Sequence, residues 1–189
     1  MKSAFTILEL IFVIVILGIL AAIALPRLGA SKDEAEVSKA LSNIKTIITD
    51  ISTYALQNDA LSSTAAMSNV AGLENVDLSS FSGTQVAKFK VGSDEECLRF
   101  VFVNENSALI LGVASNDNAL ALITSLAAAH SQSVQSGGDT AAKTALANAT
   151  DALVNADLTS TSQNKACVSL TNTQAFQALA NKTYVLLGR

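Results

Sequence analysis

The chain has 189 residues, half of them hydrophobic, and its 12 basic and 16 acidic side chains give a formal net charge of −4. This length suffices for one domain with its own core, but aromatic residues make up only 5% and tryptophan is absent, so we expect a modest core. The slightly acidic balance argues against direct nucleic-acid binding, for which a basic patch is the usual footprint.

The chain begins with a four-residue segment, 1–4, followed by an apolar run from Phe5 to Leu25 in which Thr6 and Glu9 are the only polar residues. As a helix rising 1.5 Å per residue, the run would be about 31 Å long, close to the hydrocarbon thickness of a bilayer. A lone carboxylate costs roughly 2.5–3.5 kcal/mol at mid-bilayer. We therefore expect another subunit to provide a partner for Glu9.

Three interpretations of this run compete. An ordinary secretory signal could be cut after Ala24, but the run exceeds the usual ~7–15 apolar residues of such a signal and contains a glutamate. A plain membrane anchor fits the length and leaves Glu9 without a role. The third interpretation rests on the order Met-Lys-Ser-Ala followed by Phe-Thr-Ile-Leu-Glu-Leu, which resembles the leader and processing site of the type IV pilin and type II secretion pseudopilin family. The match continues through Gly18 and Pro26 and covers about the first thirty residues.

The resemblance implies a role for each matching position. A prepilin peptidase of the membrane would remove leader residues 1–4 by cutting between Ala4 and Phe5, and would methylate the new amine of Phe5. Glu9, Gly18 and Pro26 would act in filament assembly. Most of the family has glycine where this chain has Ala4, so we expect slower cutting at worst. A capping box between Thr6 and Glu9 is a local alternative that can coexist with the assembly role.

The resemblance also implies a location and partners. The chain would cross the bacterial inner membrane once, with its domain in the periplasm, and would then join a pilus or pseudopilus filament with itself and other pilins or pseudopilins. The charges that flank the apolar run do not fix its orientation, so this placement rests on the resemblance.

After Pro26 the pattern becomes amphipathic, with apolar residues at alternating steps of four and three: Val37, Leu41, Ile44, Ile48, Ile51 and Ala55. We predict one helix from about Phe5 to Leu56, with residues 5–25 in the membrane or the filament core and residues 26–58 as the amphipathic continuation. A second capping-box pattern, Ser31 to Glu34, allows the helix to restart after the proline. The apolar stripe would lie against a folded domain.

Residues 59–189 are predicted to form that domain. Residues 59–83 have loop composition with room for a short helical turn. The pattern then predicts a small antiparallel sheet from strands at 85–91, 97–103, 108–114 and 183–187, with a short helix at 173–180. The predicted fold class is α+β and pilin-like, with the long helix packed on the sheet.

Residues 116–158 differ from their surroundings because they are rich in alanine. Two helices are predicted, 118–135 and 140–158, separated by a pair of glycines, and together they form an inserted helical hairpin. Their predicted apolar faces are Ile123, Ala127, His130 and Val134 in the first helix, and Ala142, Leu146, Ala149 and Leu153 in the second. A partly disordered loop is the alternative.

Two cysteines, Cys97 and Cys167, fit an oxidising compartment. A single pair there most simply forms one disulfide, which we expect to tie the insert to the sheet, and two buried free thiols are the alternative. With no C-x-x-C pattern and one histidine, no metal site is predicted.

No sequence motif indicates an enzyme or a cofactor, since a nucleophile elbow, a phosphate-binding glycine loop and a kinase signature are all missing. The leading hypothesis is therefore a structural filament subunit. A monomeric, membrane-anchored periplasmic binding or adhesion domain and a secreted soluble protein remain open. The sequence does not distinguish a pilus from a secretion pseudopilus or a DNA-uptake filament.

Overall fold

The structure is a computed structural model that describes residues 6–105 and 108–188, except for the side chains of residues 24–31. Its helices are α1 (Ile7–Asn58), α2 (Thr64–Met67), α3 (Asp117–Gln135), α4 (Thr140–Val154), α5 (Lys165–Thr171) and α6 (Gln174–Ala180). Its strands are β1 (Gly83–Val91), β2 (Asp94–Glu105), β3 (Ala108–Ala114) and β4 (Tyr184–Gly188). The fold is α+β, as the sequence predicted.

Helix α1 spans 52 residues and follows the prediction to within two residues at each end. It starts after Thr6, whose side chain accepts a hydrogen bond from the helix backbone, and its backbone continues through position 26. It ends at Asp59, whose φ of 50° is in the left-handed region that commonly closes helices. The long helix therefore does not need to restart at Ser31.

The second half of α1 buries the predicted stripe. The last four residues of the stripe are buried: Ile44, Ile48, Ile51 and Ala55. Val37 and Leu41, which come first in the stripe, are half-buried. Ile47 is also fully buried, although the stripe omitted it. Burying each large aliphatic side chain contributes about 1.5–3 kcal/mol, so this half of the helix is held by the domain.

The sheet is antiparallel, with its strands in the order β1-β2-β3-β4. A two-residue turn joins β1 to β2, because Val91 pairs with Asp94. Gly92 in this turn has a φ of +61°, and a Cβ there would lie 2.5 Å from Oε2 of Glu36 on α1. Both the backbone conformation and the close approach of the helix therefore favour glycine at this position.

Both faces of the central strands β2 and β3 are buried. Successive side chains of a strand point to opposite faces, so Phe100 and Leu111 lie on one face while Val101 and Gly112 lie on the other, and none of them is accessible to solvent beyond a trace. A Cβ at Gly112 would lie 2.6 Å from Cγ2 of Ile123, which places α3 directly on the second face. Helix α1, which contacts β1 and β4, closes the first face.

The insert is the predicted helical hairpin. Asn116 caps α3 by accepting from the Ala119 amide at 2.8 Å, and Asp139 caps α4 by accepting from the Ala142 amide at 2.7 Å. In α3, Ile123 and Ala127 are buried, but Val134 is 48% exposed, so the predicted apolar face is wrong at its last position.

Helix α4 ends at Val154, four residues earlier than predicted. The chain leaves the helix because Leu158 is buried and its carbonyl accepts a hydrogen bond from the Ser115 hydroxyl at 2.5 Å, at the end of β3. The contacts of Leu158 with the end of β3 therefore end the helix, although the helical pattern in the sequence continues to residue 158.

Helix α5 was not predicted. It begins at the Asn164 cap, which accepts from the Cys167 amide at 3.1 Å, and it packs on α1. Cys97 of β2 and Cys167 of α5 form a disulfide with their Cα atoms 5.6 Å apart. The two cysteines pair as predicted. The prediction that the disulfide ties the insert to the sheet is wrong, because Cys167 lies beyond the insert and the bond ties α5 to the sheet.

Candidate assembly helix

The first half of α1 is the most unusual surface of the molecule. Every residue from Thr6 to Ile23 is exposed, and the large apolar side chains among them range from 41% exposed at Ile16 to 79% at Ile7 and Leu8. A helix that is apolar on all sides is normally buried in protein or in a membrane. This half of α1 is therefore incomplete as a structure without something that covers it.

Thr6 and Glu9 form a capping box at the start of this helix. The Thr6 amide and hydroxyl donate to Oε2 of Glu9 at 2.9 and 2.8 Å, and the Glu9 amide donates to the Thr6 hydroxyl at 3.3 Å. The carboxylate also lies at the positive end of the helix dipole. The local alternative for Glu9 is thus present in the structure, and among the described residues its hydrogen bonds with Thr6 use only Oε2 of the carboxylate.

The other residues singled out by the sequence are described only in part. Ala4 and Phe5, the residues flanking the expected cut, lie outside the described residues, and so does the side chain of Pro26. A Cβ added at Gly18 would meet nothing within 4 Å, so packing within one chain does not require glycine there. The roles of these four residues remain predictions.

Among the described residues, no helix combines the length and the apolar character that a membrane crossing needs. The structure describes only part of the run predicted to be the anchor, residues 5–25. Phe5 and the side chains of residues 24 and 25 lie outside the described residues.

One group among the described residues brings possible metal ligands together. Ligand atoms of Asp94, Cys97 and Cys167 lie within 4.8 Å of one another. The two sulfur atoms are bonded to each other, however, and the thiolate is the form that binds metals. Asp94 accepts a hydrogen bond from the Ser162 hydroxyl, so its carboxylate also has a structural partner.

Three ion pairs join charged side chains of the domain among the described residues, and no pattern in the sequence predicted them. Arg99 Nη2 contacts Asp117 Oδ1 at 2.8 Å and so joins β2 to the first turn of α3. Both side chains line a polar cleft of about 280 Å³. On the sheet, Lys88 pairs with Glu96, whose hydrogen bond and charge raise the pKa of Lys88. Of the charged side chains that line the cleft, Arg99 pairs with Asp117, and Glu96 pairs with Lys88.

His130 is half-buried on α3, and its Nδ1 is buried without a hydrogen-bond partner among the described residues. The sequence predicted that His130 lies on a packed face. His130 does not belong to the group of possible metal ligands found among the described residues, which is Asp94, Cys97 and Cys167.

Part of this chain is similar to curated proteins that share one name. The chain is 43% identical over 63 residues to a type II secretion system core protein G of Pseudomonas aeruginosa, covering 33% of this chain and 44% of that protein. It is 43% identical over 58 residues to the protein of the same name from Aeromonas hydrophila, covering 31% of this chain and 41% of that protein. The protein of that name from Escherichia coli is 39% identical over 57 residues, covering 30% of this chain and 39% of its own length.

The matches therefore span less than half of these curated relatives. No family model matches the chain, and no solved structure matches it. The shared identity nevertheless agrees with the resemblance carried by the first thirty residues. Over part of its length the chain is thus similar to proteins named type II secretion system core protein G, and this similarity supports the resemblance to the type IV pilin and pseudopilin family.

Proposed function

We propose that this chain is a structural filament subunit of the pseudopilin type, which is processed by a prepilin peptidase and assembles through the first half of α1. The observation that carries the proposal is the exposure of every residue from Thr6 to Ile23 on a helix that is apolar on all sides. One chain cannot cover this surface, whereas a bilayer before assembly and neighbouring copies after assembly can.

The first half of α1 occupies two locations in turn. Residues 5–25 anchor the chain in the inner membrane, with the domain in the periplasm, until the subunit is transferred to the filament. There the apolar halves of many copies of α1 pack together and replace the lipid. Because apolar side chains are non-directional in their attraction, this packing stabilises the core without fixing the position of one subunit relative to the next.

Glu9 supplies the missing register. Cutting between Ala4 and Phe5 leaves a free amine on Phe5, which is largely protonated at neutral pH. An unpaired carboxylate in an apolar core is costly, and the amine of a neighbouring Phe5 is a suitable partner. Such a pair fixes how far each subunit is staggered from the next.

The first experiment concerns processing. Mass spectrometry of the N-terminal peptide is expected to find a mature chain that begins at Phe5 with a methylated amine. A mature start at Leu25 would identify an ordinary secretory signal and would overturn the filament proposal. An unprocessed Met1 in membrane-bound protein would instead favour the plain anchor.

The second experiment concerns assembly. Cells expressing the chain with its secretion or pilus system are sheared, and the released fraction is examined by electron microscopy with antibody against the domain. Labelled filaments are expected. If the processed chain is recovered only from membranes, with no filament in the sheared fraction, it acts as a membrane-anchored monomer.

A further inference from the structure

We propose that Asp94, Cys97 and Cys167 form a binding site for Zn²⁺ when the disulfide is open, so that either a metal ion or a covalent bond ties α5 to the sheet. The observation that carries this site is that a carboxylate belongs to the same cluster as the two sulfur atoms, with the ligand atoms all within 4.8 Å of one another. The site is a property of the domain and does not depend on the proposed filament role.

The spacing of the cluster suits one tetrahedral ion. Zinc binds thiolate sulfur at about 2.3 Å and carboxylate oxygen at about 2.0–2.2 Å, so the ligand atoms around one ion lie roughly 3.5–4 Å apart. The Cα atoms of Cys97 and Cys167 are 5.6 Å apart. Once the bond is open, rotation of each side chain about its Cα–Cβ bond can bring the two sulfur atoms to this separation. The cluster can therefore reach a common ion without movement of the backbone.

Both cysteines are buried, and the carboxylate is held in place. Cys97 and Cys167 are 2% and 0% exposed, so water competes little for their sulfur atoms. Asp94, the first residue of β2, is half-buried. Its Oδ1 accepts from the Glu96 amide at 2.9 Å, and its Oδ2 accepts from the Ser162 hydroxyl. A carboxylate has about four lone-pair sites, so these two hydrogen bonds orient Asp94 and leave it able to bind an ion.

A polar cleft connects the cluster to solvent. The cleft has a volume of about 280 Å³, and Asp94, Ser160 and Ser162 are among the residues that line it. The Ser160 hydroxyl lies 3.3 Å from Sγ of Cys167, so the cleft reaches the sulfur atoms. An ion can enter by this route, and water from the cleft can complete the four-coordinate shell that zinc prefers. The two thiolates favour Zn²⁺ over Mg²⁺ and Ca²⁺, which prefer oxygen ligands.

The metal ion and the disulfide are alternatives, because both use the same sulfur atoms. In the reduced chain each cysteine is a thiol, and Zn²⁺ displaces one proton from each sulfur as it binds. An oxidant that itself contains a disulfide reverses this step. The two thiolates bond to each other and give up two electrons, the oxidant takes these electrons with two protons and becomes a dithiol, and Zn²⁺ is released. The chain is synthesised with both thiols reduced, so the metal form precedes the disulfide.

Zinc binding to the detergent-solubilised full chain tests the site. The chain is reduced with a phosphine, freed of metal and titrated with Zn²⁺ against a chromophoric chelator, and the oxidised chain is titrated in parallel. One Zn²⁺ per reduced chain is expected, with a higher midpoint of chemical denaturation because the ion binds the folded form. The oxidised chain should not bind Zn²⁺ at this site. Co²⁺ in place of Zn²⁺ should give the thiolate-to-cobalt absorption of a tetrahedral site.

Two variants distinguish the proposed ligand from a neighbouring carboxylate. Loss of a partner that only orients a metal ligand costs about 10–100-fold in affinity. Asp94→Asn removes the charged ligand itself and keeps both thiols, so its affinity for Zn²⁺ should fall at least about tenfold. Glu96→Gln is the matched control, because Glu96 lines the same cleft but lies outside the group of ligands. Its affinity should be unchanged.

The inference is overturned if the reduced chain binds no Zn²⁺, or if the oxidised chain binds it equally well, because the sulfur atoms are then not the ligands. Unchanged affinity in Asp94→Asn overturns it too, and so does an equal loss in Asp94→Asn and Glu96→Gln, which indicates only a general attraction of cations to the cleft. If the reduced chain does not fold without metal, Zn²⁺ should restore the far-ultraviolet circular dichroism of the oxidised chain. Failure to restore it also overturns the inference.

Discussion

At the scale of single residues, the capping role of Glu9 can be separated from the assembly role that we propose for it. Its Oε2 accepts from the Thr6 amide and hydroxyl in the capping box, which requires only an acceptor at this position. The assembly role requires a negative charge that can pair with the amine of a neighbouring subunit. Glutamine satisfies the first requirement and not the second, since the capping box accepts either residue.

We therefore expect Glu9→Gln and Glu9→Leu both to be cut and to enter the membrane, because each removes a charge and retains the apolar run. Both should fail to add to filaments, since each leaves the neighbour's amine unpaired and the stagger unspecified. Processing is followed by mobility on a gel, and assembly by microscopy of sheared material. Filaments at normal abundance from Glu9→Gln would show that Glu9 acts only as a helix cap.

Gly112 tests how closely α3 approaches the sheet. Gly112→Ala would place a methyl group 2.6 Å from Cγ2 of Ile123, so we expect the free energy of unfolding to fall by about 1–3 kcal/mol, the usual cost of overpacking a core. Chemical denaturation of the detergent-solubilised chain measures the change.

The control for this prediction is a double-mutant cycle. Ile123→Ala alone creates a cavity and should cost about 2–5 kcal/mol. In the double variant the new methyl group occupies part of that cavity, so its cost should be smaller than the sum of the two single costs. Additive costs would show that α3 does not pack on Gly112.

At the scale of elements, the disulfide holds the short helix α5 against β2. The bond closes a separation of 70 residues, and the chain-entropy account of such a loop gives about 4 kcal/mol of stabilisation. Because α5 also packs on α1, loosening it exposes one side of the long helix as well.

Replacing both cysteines, Cys97→Ala with Cys167→Ala, is expected to lower the free energy of unfolding by about 2–5 kcal/mol. Chemical denaturation measures the effect, and the unaltered chain in reducing buffer is the matched control, since it loses the bond but keeps both side chains. Non-reducing peptide mapping should recover the crosslinked pair. Recovery of both residues as free thiols from rapidly alkylated protein would refute the bond.

At the scale of the whole molecule, one helix serves two environments. Its second half is buried against a four-stranded sheet, while its first half exposes apolar side chains on all sides. The domain therefore folds around half of the helix and leaves residues 6–23 of the other half exposed. The hairpin α3–α4 adds a covering to the second sheet face, so the core is closed on both sides of the sheet without a neighbour.

Local patterns in the sequence determined much of this architecture. The stripe from Val37 to Ala55, the strand at residues 108–114 and the glycine pair between the two alanine-rich helices each depend on spacing within a few residues, and each predicted an element that the structure contains. The capping box of Thr6 and Glu9 was visible for the same reason, because its partners are three residues apart.

Tertiary structure decided what depends on residues distant in the chain. The burial of Ile47, the early end of α4 at Val154 and the ion pair of Arg99 with Asp117 follow from contacts between separate elements. Helix α5 has seven residues, too few to form stably alone, so the disulfide and the α1 surface determine its position. Tertiary structure also decided the order of layers, because the periodicity of a helix identifies its apolar side but not which face of the sheet that side will cover.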